Sequence, residues 1–153
     1  MTIYTVCFFG HRYIDDPFGV DSQIYDLVCE LIRNKEYVDF LIGRDGEFDQ
    51  LVSSAIIRAK KNIFDANSSH IWVMPYIKAA FTNNSEDYDK YYDGVEICER
   101  SAGCHPKAAI TIRNQYMIRR SDLCVFYIKH NYGGAFNALQ YAKNSNKDII
   151  IFD

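Results

Sequence analysis

The 153-residue chain has no apolar stretch long enough to span a bilayer, and no leader of the secretory type is expected. Its first residues, Met1 to Phe9, lack a basic region, and His11 and Arg12 follow too soon. A cytoplasmic protein without a membrane partner is expected. None of the five cysteines forms a C-x-x-C pair. Cys7 and Cys124 fall in predicted strands and Cys29 on a predicted helix, where reduced thiols behave as small buried apolar groups. Cys98, Cys104 and His105 match no zinc spacing, so neither a metal nor another cofactor is expected. Positive charge is not in excess: the net charge is −3 and the pI about 5.8. Duplex binders usually present a basic surface. A small anionic ligand is therefore expected in preference to DNA or RNA. There is no G-x-G-x-x-G after the first strand and no G-x-x-x-x-G-K-S/T anywhere. Their absence argues against a standard dinucleotide oxidoreductase and a P-loop nucleotidase. No G-x-S-x-G elbow is present either. Without a linker, repeat or low-complexity tract, residues 1–153 are expected to form a single domain.

What the chain does have is alternation of two periods. Thr2 to Phe9, Tyr37 to Ile42, Ile71 to Met74, Leu123 to Ile128 and Asp148 to Phe152 are apolar runs of strand length. Between them lie helical patterns. One is capped at Asp21 or Ser22 and buries Ile24, Leu27, Val28, Leu31 and Ile32. A second carries Phe48, Leu51, Val52, Ala55, Ile56 and Ala59 on one face. A third runs from about Pro106 to Arg120, and a fourth buries Ala135, Ala138, Leu139 and Ala142. Strand and helix in alternation predict an α/β fold with a mostly parallel sheet and helices on both faces. Tyr76 to Ser101 breaks the pattern. It is polar, rich in Tyr and Asp, and reads as a lid or edge segment with short helical pieces. Tyr88, Tyr91 and Tyr92 within it either stack on a base or a partner, or pack on their own domain.

Ligands of parallel α/β sheets bind beyond the carboxyl ends of the strands. The turns there are Gly10-His11-Arg12, Gly43-Arg44-Asp45-Gly46-Glu47, the segment after Pro75, and His130 to Gly134. From Ile112 to Ala135 the chain reads as helix, buried strand, and a Gly133-Gly134 turn opening a helix. Such a turn lets backbone N–H groups approach an anion. Arg113, Met117 and Arg120 share one face of the preceding helix. Each feature has a plainer reading. Gly10 ends a strand, Arg12 pairs with Asp15 or Asp16, Gly43 and Gly46 cap, Asp49 faces water, and Arg119 and Arg120 form a solvated face. Convergence at one sheet edge points instead to an anionic, sugar-containing ligand.

The pieces C-F-F-G-H-R (Cys7 to Arg12), G-R-D-G-E-F-D-Q-L (Gly43 to Leu51) and I-R-N-x-x-M-x-x-R-S-D followed by G-G-A resemble the SLOG superfamily. They are most similar to its short YpsA-like branch with a G-H-R signature. The superfamily also holds the Lonely Guy phosphoribohydrolases, which cleave the bond between a base and ribose 5'-monophosphate. The resemblance covers nearly the whole chain. It implies a Rossmann-like three-layer α/β/α fold, a pocket for nucleotides or ADP-ribose-type molecules, and self-association as a homo-oligomer. Arg113, Met117, Ser121 and Asp122 match the first part of the Lonely Guy pattern, and Gly133 and Gly134 its double glycine. The rest departs: Tyr132 stands for Pro, Phe136 for the third glycine, Asn137 for Thr, and Leu139 and Gln140 for the acidic positions. The catalytic carboxylate of that pattern is absent.

Three functions follow as expectations. The first is a non-enzymatic binder that senses or sequesters a nucleotide or ADP-ribose-derived small molecule. Its ligand site would comprise Gly10, His11, Arg12, Gly43, Arg44, Arg113, Arg120, Gly133 and Gly134. The second is an N-glycosidase in which Glu47 or Asp49 supplies the carboxylate that stabilises an oxocarbenium ion. The third is a protein-interaction module or DNA-processing accessory that keeps the fold without a small ligand.

Overall fold

The computed structural model describes residues 1–63 and 66–153. Strand β1 (Ile3–Gly10) carries the apolar run Val6 to Phe9, which is covered on both faces. Val6 and Phe8 point into one core with Ile24, Val28, Val52 and Ile56. Cys7 and Phe9 point into the other with Met117, Ile118, Ala138 and Leu139. Helix α1 (Pro17–Asn34) begins ahead of the expected cap. The Asp16 carboxylate accepts from the Gly19 N–H at 3.2 Å, and Pro17 supplies a pre-set first turn. An exposed Phe18 beside Gly19 hides that turn from a reading of periodicity.

Strand β2 (Tyr37–Ile42) and helix α2 (Glu47–Asn62) follow as expected. Strand β3 (Ser68–Met74) starts ahead of its apolar run, because Ser68, Ser69 and His70 pair with Val38, Asp39 and Phe40. The irregular segment after Pro75 has more order than its sequence suggests. It contains α3 (Ala79–Asn83), α4 (Ser85–Tyr91) and a strand, β4 (Gly94–Ile97), that pairs in parallel with Ile71 to Met74. Trp72 holds this segment down. Its ring lies 6.0, 5.2 and 5.3 Å from those of Phe81, Tyr88 and Tyr92. Much of the tyrosine content thus packs on the domain itself, each aromatic pair adding about 1 kcal/mol beyond burial.

Helix α5 (Pro106–Arg120), strand β5 (Leu123–Tyr127), helix α6 (Gly134–Asn144) and strand β6 (Asp148–Phe152) complete the order. The sheet is six-stranded and parallel, in the order β4-β3-β2-β1-β5-β6. Successive strands step outward from β1 to β4, and the chain then returns to β1's other side with β5. The loops after β1 and β5 therefore diverge, leaving a crevice at their carboxyl ends. Among the described residues no helix is long and apolar enough to cross a membrane.

Candidate functional site

A cavity of about 700 Å³ occupies that crevice. Its walls are Gly10 to Tyr13 after β1, Gly43 to Gly46 after β2, and His130 with Tyr132 to Ala135 after β5. Asp49, Tyr76, Lys78, Ile110, Arg113 and Asn114 close it from the helices and the β3 loop. The volume suits a ligand of nucleotide size.

Two glycines shape it. A side chain on Gly10 would lie 2.2 Å from the Phe48 ring, so the first loop can close over α2 only with hydrogen there. Gly133 has φ of +93°, which favours glycine, and it turns the chain into α6. The Asn137 N–H donates to the Gly133 carbonyl at 3.0 Å, leaving the amides of Gly134, Ala135 and Phe136 outside the helical ladder. No side chain caps them. Space around Gly133 and Gly134 is open. Free amides and the positive end of the helix dipole together favour an anion here.

Beside the amides stands a stack of rings. His11 lies face to face with His130 at 3.6 Å, and His130 with Tyr132 at 3.9 Å. Tyr132 is 69% exposed, and Tyr13, on the loop after β1, 74%. The His11 Nε2 accepts from the Lys129 N–H at 3.0 Å, which places the ring proton on Nδ1. Burial, then the charge of His130, lowers the His11 pKa and favours this neutral form. Arg12 is exposed on the same wall and, among the described residues, makes no ion pair.

The floor is a network of charge. Arg113 is 1% exposed. Its guanidinium donates to Val73 O at 2.9 Å, Asn114 Oδ1 at 2.9 Å and Asp45 Oδ2 at 2.6 Å. Lys78 donates to the other Asp45 oxygen at 3.2 Å. Burial pushes the Asp45 pKa up, but Arg113 and Lys78 outweigh it and the net direction is down. Asp49 differs. Burial first, and the Asp45 charge second, push its carboxyl up to about 7, although it accepts the Asp45 N–H at 2.9 Å. Asp49 does not face water, and it holds its proton close to neutrality.

Of the ligand residues expected from sequence, Gly10, His11, Arg12, Gly43, Arg44, Arg113, Gly133 and Gly134 line this cavity. Arg113 nevertheless has its charge matched internally by Asp45. Arg120 lies elsewhere: it donates to Glu96 at 2.7 Å, with Asp39 at 3.9 Å, and so ties α5 to the edge strand β4. Of the two candidate carboxylates, Asp49 lines the cavity. Glu47 instead accepts the Ile14 N–H at 2.8 Å and fixes the first loop. Sequence reasoning passed over Tyr13, Tyr76, Lys78, Asn114 and Tyr132, which also line the cavity. The signal that could have found Tyr132 is a large aromatic residue directly before a glycine pair, where a plain turn needs none. Among the described residues no three His, Cys, Asp or Glu side chains are grouped to hold a metal ion.

The fold and the site define a Rossmann-like α/β protein with an open crevice at its topological switch point. The sequence matches no protein-family model and no curated protein. Among solved structures it is similar to DNA processing protein A from Helicobacter pylori, described for its single-stranded DNA binding mode. The TM-score is 0.68 at 16% identity, over 97% of this chain and 64% of that one. It is also similar to DNA processing protein A (DprA) from Streptococcus pneumoniae, with a TM-score of 0.71 at 12% identity, over 97% of this chain and 50% of that one. The chain thus spans between half and two-thirds of these neighbours' length. At such identity the likeness establishes the fold.

It also corrects one expectation. The partner expected from sequence was a small molecule, in preference to nucleic acid. A neighbour in fold is described as binding single-stranded DNA, so that exclusion does not stand. The reason is physical: net charge sums the whole surface, whereas a single strand can be held by a local cationic groove together with base stacking.

Proposed function

We propose that this protein binds single-stranded DNA, seating one nucleotide of the strand in the crevice at the carboxyl edge of the sheet. The observation that carries this reading is the adjacency of two features on one loop. The unladdered amides of Gly134 to Phe136 suit a backbone phosphate, and the His11–His130–Tyr132 stack ends in an exposed ring that can continue onto an unpaired base. Tyr13 offers a second exposed ring in the cavity lining. Arg12 adds an exposed cation that, among the described residues, makes no ion pair. A duplex offers neither a free base face nor a bend into a concave site, and the net charge of −3 gives it little attraction. The SLOG-like motifs Cys7 to Arg12, Gly43 to Leu51 and Gly133-Gly134 fall on the loops that build the site, which supports a nucleotide-recognising origin for it.

Fluorescence anisotropy of a labelled oligonucleotide, single-stranded and annealed, tests this. The strand should bind and the duplex should bind at least about tenfold more weakly. Equal affinity for both, or none for either, would sink the proposal.

Asp49 favours a second reading. A carboxyl that holds its proton near pH 7 and lines the cavity can protonate a departing base nitrogen while water adds to C1' of the sugar. The products would be free base and an abasic sugar in the strand. Chromatography of protein–DNA mixtures for released base decides it: release that disappears in Asp49→Asn supports cleavage, and recovery of intact strand excludes it.

A further inference from the structure

A second recess, of about 360 Å³, opens beside the cavity between α2 and α4, lined by Arg44, Gln50, Asp87, Tyr88 and Tyr91. Arg44 borders both spaces. Its guanidinium is fixed between them: it donates to the Tyr92 hydroxyl at 2.9 Å and lies 5.0 Å from the Tyr88 ring centre and 5.8 Å from that of Tyr91. The two rings of the recess are also positioned in advance. Tyr88 packs against Trp72 at 5.2 Å, and Tyr91 meets Tyr92 edge-on at 4.8 Å. Tyr91 nonetheless remains 39% exposed. Little side-chain entropy is left to lose when a planar group enters.

The polar groups of the recess have a defined chemistry. Asp87, when ionised, only accepts hydrogen bonds, while the Gln50 amide both donates and accepts. A base with an exocyclic amino group satisfies the carboxylate. Thymine has no amino group and offers only its N3–H, set between two carbonyl oxygens that a carboxylate repels, so it fits less well.

We propose that this recess is a second nucleobase subsite, receiving the base that neighbours the one in the main cavity, with Arg44 meeting the phosphate between them. The inference rests on the strand-binding reading above and adds to it a path, a minimum length and a base preference. The strand runs from the Gly133-Gly134 turn across Arg44 to the α4 face. Two nucleotides are the shortest ligand that engages both subsites. Adenine, cytosine and guanine are accepted at the second position ahead of thymine.

The test is competition by unlabelled deoxyoligonucleotides of increasing length, from a mononucleotide upward, against a labelled strand. Wild-type affinity should rise about tenfold or more on passing from one nucleotide to two, as a stacked base provides. The rise should be smaller when the added base is thymine. Tyr91→Ala should abolish the rise and leave mononucleotide affinity unchanged, while Tyr91→Phe should restore it. Asp87→Asn, on an exposed position that leaves the fold alone, should narrow the gap between thymine and the other bases. Tyr91→Ala and Asp87→Asn variants that match wild type at every length would overturn the subsite while strand binding stands. A wild-type protein that binds no oligonucleotide would overturn both readings together.

Discussion

Arg113 and Asp45, 68 residues apart in sequence, meet at 2.6 Å beneath the cavity floor, the guanidinium buried and the carboxylate reaching it from the loop after β2. The pair joins α5 to that loop and, through Val73 O, to β3. Removing Arg113 leaves Asp45 with Lys78 as its cation and takes the guanidinium donor from the Val73 carbonyl. Arg113→Ala is therefore expected to lower the unfolding free energy by about 3 kcal/mol in the absence of any ligand. Urea denaturation reads this directly, and an unchanged midpoint would show that the pair does not hold the floor together.

At the opposite wall, Gly134 can carry a side chain at no steric penalty, since nothing lies within 4 Å of its would-be Cβ. Gly134→Asp places a carboxylate on the first turn of α6, where it complements the helix dipole and occupies the position assigned to phosphate. Its melting temperature should stay level or rise, while strand affinity falls by about tenfold or more. Retained affinity would remove the α6 terminus from the interface. Loss of both folding and affinity would show only damage, so both quantities are measured on the same sample.

The Asp49 carboxyl gives the protein an inverted acid–base dependence at this position. Its folded pKa is raised to about 7, so the folded chain holds a proton that the unfolded chain releases near pH 4. Stability from this group is greatest at low pH, falls as pH rises from about 4, and reaches its lower plateau above about 7. Asp49→Asn has no such penalty and can still accept the Asp45 N–H. At pH 8 the variant should be more stable than wild type, on the order of a few kcal/mol, with the difference shrinking toward pH 5. A difference that does not vary with pH would contradict the raised pKa.

His70 behaves in the opposite sense. Its ring is buried, Nε2 shares a hydrogen bond with Ser53 Oγ at 2.8 Å, and among the described residues Nδ1 has no partner. Burial, opposed in part by the charge of Asp93, lowers its pKa to about 4. A depressed folded pKa contributes stability that is intact above about 6.5 and lost as pH falls from there to about 4. His70→Gln should flatten the stability profile across that interval. Ring proton shifts in wild type should show no titration down to about pH 5. A midpoint near 6.5 would reveal a solvated ring.

How far the sequence could be read depends on the scale of the signal. β2 and β6 agree with their expected bounds because each is a short apolar run with clear punctuation, and α5 because Pro106 opens it and the next strand's apolar run follows directly after its end. β4 escaped notice because a four-residue edge strand, G-V-E-I, has only half a face to bury and therefore little pattern to show. The glycine turns were legible, since a cradle for an anion needs glycine whatever surrounds it. The charges were not. Arg113, Arg120 and Glu47 look alike in sequence as polar residues near a sheet edge. Asp45, Glu96 and the Ile14 amide decide their employment, and these partners lie up to 68 residues away along the chain. Asp49 is the converse case: only its burial reveals that it keeps a proton.

The rim of the crevice is laced by two short contacts that cross between loops. The Glu47 N–H donates to Arg12 O at 2.8 Å, and the Lys129 N–H to His11 Nε2 at 3.0 Å. Three loops that leave three separate strands are thereby fastened into one collar. A collar built before the ligand arrives does not need to close around it. Association would then be governed by encounter and orientation instead of by a folding step, and residence time would become the quantity that sequence changes at the rim adjust most.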